Sequence, residues 1–444
     1  MATATPSPPF YARGNFRPVL EETTAFDLPV RGAIPDVLDG LYVRNGPNPR
    51  SGTPGHWFFG DGMLHGVHLS GGRARWYRNR WVRTPMLESG GSETPGPPDL
   101  RGGPANTHVV YHGSRLFALV EVSFPYEVTP ELDTVGPFDF GGRLTTAMTA
   151  HPKICPVTGE MHFFGYGFAP PLLTYHVASP DGELVHSTEV EVPGPTMMHD
   201  FALTRTQVVF MDLPVVFDLD LALRNTMPYR WSDDYGARLG VMPRGGQGSQ
   251  VRWFEIEPCY VFHVLNAYDG PDGTVVVDVV RYRELWRRVD DFSTLGFLYR
   301  WTIDASRGTV SETQLDDRPV EFPRVDERVL GLAHRHGYAV SYPSGRGDEP
   351  VPEAVVAFDL ATGQVAEQGF SGAKVPSEAV FVPAPDGSAD DEGFLVCFVH
   401  DRAEDRSQLA VMEATELQAP PVGLVELPSR VPYGFHGSWV PGVG

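Results

Sequence analysis

Three cysteines in 444 residues, Cys155, Cys259 and Cys397, are too few and too far apart for a disulfide framework, and no C-x-x-C pair occurs. That usage suits a reducing compartment. No window approaches 18 uninterrupted apolar residues, so no membrane-spanning helix is expected. The first residues, Met1-Ala-Thr-Ala-Thr-Pro-Ser-Pro-Pro-Phe10, have no basic stretch followed by an apolar run, which speaks against a signal peptide. Positive charge is in deficit, with 35 Lys and Arg against 56 Asp and Glu for a net charge of −21. That balance disfavours a nucleic-acid backbone as partner and a purely electrostatic grip on anionic lipid. Helical periodicity is nearly absent, as are a Ser/Gly-rich linker and any G-x-G-x-x-G dinucleotide fingerprint. The expectation is a soluble cytoplasmic protein.

What abounds is turn chemistry. Forty-eight glycines and 42 prolines punctuate short apolar runs, which recur at about 8 to 12 residues, the all-β spacing. Met63–Ser70 and Arg73–Asn79 read as a hairpin across Gly71-Gly72. Thr107–Tyr111 with Leu116–Glu121, Leu172–Ala178 with Glu183–Val190, and Ala354–Phe358 with Gln364–Gln368 read as further pairs. Residues 1–35 look like an irregular leader packed on the surface, and 36–444 like one domain. The least strand-like stretch, Leu219–Gly246, has loop and short-helix character. About two dozen antiparallel strands in one domain point to an all-β propeller or large barrel. The acidic turn at Asp390-Asp391-Glu392 fits no EF-hand spacing and reads as solvated.

One strand stands out. Cys259-Tyr-Val-Phe-His-Val-Leu-Asn-Ala-Tyr-Asp-Gly270 is aromatic and β-branched on both faces, so it is expected to be buried on both. His263 is its one readily titratable or metal-binding centre. A lone histidine there is more often a satisfied core residue than a ligand, so partners decide the matter. Three more histidines sit among apolar neighbours beside turn residues: His151 in Ala147-Met-Thr-Ala-His-Pro-Lys153, His199 in Thr196-Met-Met-His-Asp-Phe-Ala202 and His436 in Tyr433-Gly-Phe-His-Gly-Ser-Trp439. Their spacing matches no local metal motif. A propeller, however, gathers the innermost strands of its blades at one axis, where four histidines would form a metal site. Ligating imidazoles usually donate their second N–H to a carboxylate. Glu121, Glu321 and Glu378 adjoin apolar runs where a lone carboxylate would be costly, with surface strand ends as the alternative reading.

At these residues the sequence resembles the carotenoid cleavage oxygenase family, which includes apocarotenoid oxygenases, stilbene-cleaving dioxygenases and the retinoid isomerase of the visual cycle. The resemblance runs from Leu41-Tyr-Val-Arg-Asn-Gly-Pro-Asn-Pro49 and His56-Trp-Phe-Phe-Gly-Asp-Gly-Met63 through Arg78-Asn-Arg-Trp-Val-Arg-Thr84, Ala105-Asn-Thr107 and the histidine segments to Glu321-Phe-Pro-Arg324. It implies a seven-bladed β-propeller with loops and short helices forming a dome over one face. It also implies one axial Fe(II) held by His151, His199, His263 and His436, with Glu121, Glu321 and Glu378 behind three of them. Four histidines would close a tetrahedral zinc site, whereas six-coordinate iron keeps positions open for O2. The implied reaction is O2-dependent cleavage of a conjugated C=C bond of a carotenoid or apocarotenoid into two carbonyl products, aldehydes.

The resemblance also places Phe58 and Trp81 at aromatic tunnel positions and Thr107 near the open iron positions. Stilbene-cleaving members have a lysine where Val120 stands and a tyrosine where Trp81 stands, so a polyene is expected over a phenol. A stilbene- or phenylpropanoid-cleaving dioxygenase is the alternative within the family, and a metal-free binding propeller is the alternative outside it. A hydrophobic substrate implies an apolar tunnel mouth, expected over Leu219–Trp231 with Leu223, Met227 and Trp231, that contacts a membrane peripherally.

Overall fold

A computed structural model describes residues 8–90, 99–224, 226–288, 291–344, 349–370 and 372–443. Its strands are short and almost wholly antiparallel, as the Gly- and Pro-punctuated apolar runs require. The hairpin read across Gly71-Gly72 is formed by Gly62–Ser70 and Arg73–Trp81, with both glycines at positive φ. Helix is confined to brief segments such as Pro85–Glu88 and Leu219–Leu223. Among the described residues no helix is long and apolar enough to cross a membrane.

Among the described residues, pairing groups these strands into the sheets of a β-propeller, seven principal ones when the longest run of seven strands is divided at the register change within Thr309–Arg324. The first orders Thr24–Phe26, Arg73–Trp81, Gly62–Ser70, Gly40–Pro47 and Gly437–Pro441. The second, third and fourth each take four strands, starting from the edge strands His108–His112, Lys153–Ile154 and Ala202–Leu203. The fifth starts from Tyr260–Asp269. Its last strand, Thr309–Arg324, pairs first with Gly296–Asp304 and then, from Val320 onward, with His336–Ser341 in the sixth. In the seventh, Lys374–Pro376 and Val380–Pro383 both pair with Gly393–Asp401. A small extra hairpin joins Val215–Phe217 to Tyr229–Trp231.

Apolar side chains from adjoining sheets fill the spaces between them. Tyr42, Val67 and Leu69 of the first sheet pack with Phe398 and Leu409 of the seventh, and Leu41, Val43 and Leu64 pack with Val109 and Leu116 of the second. Gly40–Pro47 is buried along its whole length, as a strand packed on both faces must be. The ring closes where Gly437–Pro441, from the end of the chain, pairs with Gly40–Pro47 from its beginning.

Two expectations need correcting. Residues 1–7 of the leader lie outside the described residues, and the rest of it is not wholly irregular. Thr24–Phe26 adds an outer strand to the first sheet, and Val30–Gly32 adds one to the seventh. The stretch Leu219–Gly246 also holds more strand than its composition suggested. Arg238–Pro243 is a central strand of the fourth sheet despite its Gly and Pro. Gly240 is there because the Trp253 ring fills the room a Cβ would need, 2.6 Å away.

Candidate metal centre

Each of the seven sheets contributes one residue to a single constellation, from or beside its edge strand in six of them and, for Glu121, from the turn after the second strand. His436 immediately precedes Gly437–Pro441, His151 stands two residues before Lys153–Ile154, and His199 three before Ala202–Leu203. His263 lies within Tyr260–Asp269, where register shifts between Val261 and Asn266 interrupt simple alternation. Such a bulge re-aims a side chain. The other three sheets supply the carboxylates. Glu121 follows Arg115–Leu119, Glu321 lies in Thr309–Arg324, and Glu378 sits between Lys374–Pro376 and Val380–Pro383.

The four histidines are buried, and one nitrogen from each lies within 4.8 Å of those of the other three. His151 Nε2 is 3.0 Å from His199 Nε2, which is 3.3 Å from His263 Nε2. Behind them, His199 Nδ1 contacts Glu121 Oε1, His263 Nδ1 is 2.5 Å from Glu321 Oε2, and His436 Nδ1 is 2.9 Å from Glu378 Oε1. An Nδ1–H donated to a carboxylate leaves the lone pair on Nε2. Three lone pairs therefore turn toward one small buried volume. Facing acceptors without a donor repel each other, and a cation between them removes that repulsion. This donor set fits a transition metal that takes imidazole.

For two of the four histidines the surroundings favour the neutral, ligating form. Burial first, and then the neighbouring imidazoles, hold His151 and His436 well below the ordinary histidine value, so both are neutral and able to ligate. Burial also acts on His263, but the Glu321 carboxylate outweighs it and raises the value.

Further residues hold the carboxylates. Tyr166 donates to Glu121 Oε2 at 3.2 Å, and Tyr282 donates to Glu321 Oε1 at 3.0 Å. Glu378 accepts the Gly437 N–H at 2.7 Å and lies 3.7 Å from Arg324 Nη1. Phe322 has φ of +55°, a sparsely populated region for a bulky residue, where the register with His336–Ser341 also slips. That kink keeps Glu321 on His263 while the Phe322 ring stacks on the same imidazole at 5.5 Å. Sequence reasoning gave no role to Phe322, Arg324, Tyr166 or Tyr282. The Glu321-Phe-Pro-Arg324 motif held a signal for the first two, whereas nothing local marked the tyrosines.

A cavity of about 1190 Å3 opens onto His199, His263 and His436. Its walls are largely aromatic and aliphatic, with Phe58, Phe262, Phe322 and Phe435 among them, and Thr107 and Val120 also line it. Leu223 and Met227 line it as well; Leu223 is 78% exposed and Met227 is buried. Two expected contacts are absent. Trp81 is buried with Met63 and Leu87, and its indole N–H donates to the Asn48 carbonyl at 2.9 Å, so it packs within the first sheet. Trp231 is buried as well, donating to Asp233 at 3.0 Å under the Arg287 guanidinium. Nor is the acidic turn simply solvated. Asp390 accepts the backbone N–H groups of Arg335 and His336 and the His336 ring at 2.7 Å.

A propeller whose inner edges bring four buried imidazoles, three of them backed by carboxylates, to the end of an apolar cavity fits a class of metal-dependent oxidoreductase. The family model described as "Retinal pigment epithelial membrane protein" matches residues 16–441, and the chain belongs to that family, the one its motifs resemble. The chain is similar to the "Carotenoid cleavage oxygenase" of Mycobacterium tuberculosis, at 41% identity with 97% of each chain covered. It is also similar to the solved lignostilbene dioxygenase of Pseudomonas brassicacearum, at 30% identity and a TM-score of 0.89, covering 99% of this chain and 100% of that one. A third likeness is to the cobalt-substituted apocarotenoid oxygenase of Synechocystis, at 28% identity and a TM-score of 0.85, covering 96% and 97%. The three cysteines are buried and free.

Proposed function

We propose that this chain is a non-haem Fe(II) dioxygenase that cleaves one conjugated C=C bond of a carotenoid or apocarotenoid with O2 into two aldehydes. The observation that carries this reading is the set of inward-facing histidine lone pairs at the end of an apolar cavity. His151, His199, His263 and His436 would hold the ion, and Glu121, Glu321 and Glu378 would fix three imidazoles and balance its charge. Iron(II), when bound, supplies the O2 chemistry that neither imidazole nor carboxylate can perform alone. The chain's own residues do the rest. The phenylalanines pack a conjugated chain and exclude water, and Thr107, whose hydroxyl donates to Asn106 at 3.0 Å, lines the same cavity.

The substrate class follows from the same walls. Val120 presents no charge to a phenol, and the Tyr166 and Tyr282 hydroxyls are spent on carboxylates. Leu219 and Leu223 are exposed on one short helix, and Phe168, also exposed, stacks on Phe217 beside it. Of these only Leu223 lines the cavity, and together they offer an exposed apolar patch beside it, suited to drawing substrate from a membrane surface. A largely apolar wall discriminates weakly against an added hydroxyl. Iron-loaded protein should therefore give two aldehydes from an apocarotenal at higher kcat/KM than from a 4-hydroxystilbene in the same detergent. Faster turnover of the hydroxystilbene than of every polyene tried would replace this reading with the stilbene-cleaving one.

A further inference from the structure

The proposed metal ligands come from separate sheets, and coordination alone would have to hold them together unless other contacts do so. Asp200 follows His199 directly and is almost fully buried. Its Oδ1 lies 2.7 Å from Lys153 Nζ and accepts the Phe201 N–H at 2.8 Å, while its Oδ2 accepts the Val264 N–H at 2.8 Å. Lys153 is two residues past His151, and Val264 is the residue after His263. One carboxylate thus touches the chain beside three of the four histidines, in three successive sheets. Neither Lys153 nor Asp200 lines the cavity, so neither reaches a substrate.

The choice of cation is informative. Of the 35 basic residues only two are lysines, Lys153 and Lys374, so arginine is the rule in this chain. A compact ammonium on an unbranched stem fits a buried single-carboxylate contact that a planar guanidinium fork would overfill. Lys153 has only 13% of its side chain exposed and Asp200 only 2%, so solvent screens the pair weakly. Two neighbouring contacts run the same way. Thr149 Oγ1 accepts the His151 N–H at 3.1 Å, and the Tyr260 hydroxyl donates to the Met197 carbonyl at 3.0 Å.

We infer that Lys153 and Asp200 are a positioning pair that holds the segments bearing His151, His199 and His263 in register for one metal ion. This inference rests on the metal-centre reading above. The pair preorganises the donors, so its loss lowers metal affinity and changes the ligand field without touching substrate.

The test uses metal-free full-length protein titrated with Co(II), whose visible absorption reports coordination geometry. Wild type, Lys153→Met, Asp200→Asn and the double variant are compared, with the thermal midpoint of each measured with and without metal. Each single variant is expected to lose about 10- to 100-fold in Co(II) affinity and to shift the visible bands, the usual scale for an outer partner of a metal site. The double variant should be no worse than the more damaged single, because both remove one interaction. Unchanged affinity and bands, with midpoints lowered equally in the metal-free and loaded forms, would reduce the pair to a structural salt bridge and overturn the inference. Should Asp200→Asn fail to fold, Lys153→Met decides, since it leaves both backbone N–H bonds to Asp200 in place. Wild-type protein that binds no Co(II) would instead refute the metal-centre reading itself.

Discussion

A carboxylate behind an imidazole acts on one proton. Glu321 accepts from Nδ1 of His263 and so commits the lone pair of Nε2 to the centre. Glu321→Gln puts an amide there, which cannot balance the metal's charge and matches the imidazole poorly in one of its two orientations. It should cost about 10- to 100-fold in iron affinity or activity, read by metal titration and turnover. Unchanged values in both would leave Glu321 a mere strand residue. His263→Ala should abolish iron binding and cleavage with the far-ultraviolet spectrum intact, because the core is supplied by the sheets; stoichiometric iron in that variant would remove His263 from the ligand set. These residues were legible because a titratable group inside an apolar strand needs a reason. Trp81 was misread for a related cause. A tryptophan in a motif looks the same whether it lines a tunnel or packs inside a sheet, and only the Asn48 carbonyl distinguishes the two. Lys153 and Asp200 could not be paired at all, since nothing local relates positions in different sheets.

At the scale of the element, short strands aim the site more than they build it. The left-handed backbone at Phe322 sends Glu321 and Phe322 to the same imidazole. Gly165 does comparable work at a distance. It lies in Met161–Tyr166, whose Phe164 carbonyl accepts the Thr149 N–H at 2.7 Å, and a Cβ at Gly165 would overlap the Ala147 carbonyl. Gly165→Ala therefore displaces the segment that delivers His151. Thermal stability should fall by about 1–3 kcal/mol, the scale of overpacking, together with metal affinity. A fall in stability with metal affinity unchanged would show that the segment adjusts without moving His151. Hairpins with glycine turns were readable in sequence, whereas Arg238–Pro243 was not. Its Gly240 and Pro243 speak against a strand, and the Trp253 ring that requires the glycine belongs to the next strand.

The whole molecule is a ring sealed by its two ends, and no local pattern announces that Gly437–Pro441 will pair with Gly40–Pro47. Its interior also stores histidines that resist protonation. Burial pushes His56 and His162 down to about 3 and His176 to about 4. Below an unfolded value near 6.5 the unfolded chain takes up protons that the folded chain refuses, so stability is present above that pH and falls below it. His263 works in the opposite sense, being raised, but it is one against several. Each buried neutral histidine contributes a loss of about 1.4 kcal/mol per pH unit between its two values. The denaturation midpoint of metal-free protein should thus drop steeply from pH 7 to pH 5; a flat profile would mean these rings are protonated in the fold.

The central claim is that four sheets converge to hold one iron ion, and the direct measurement is iron per chain after anaerobic loading with Fe(II) and removal of excess. The account predicts one iron per chain in the native protein and almost none in His263→Ala of the same fold. Near-zero iron in correctly folded native protein would contradict it and leave a metal-free propeller that binds apolar molecules.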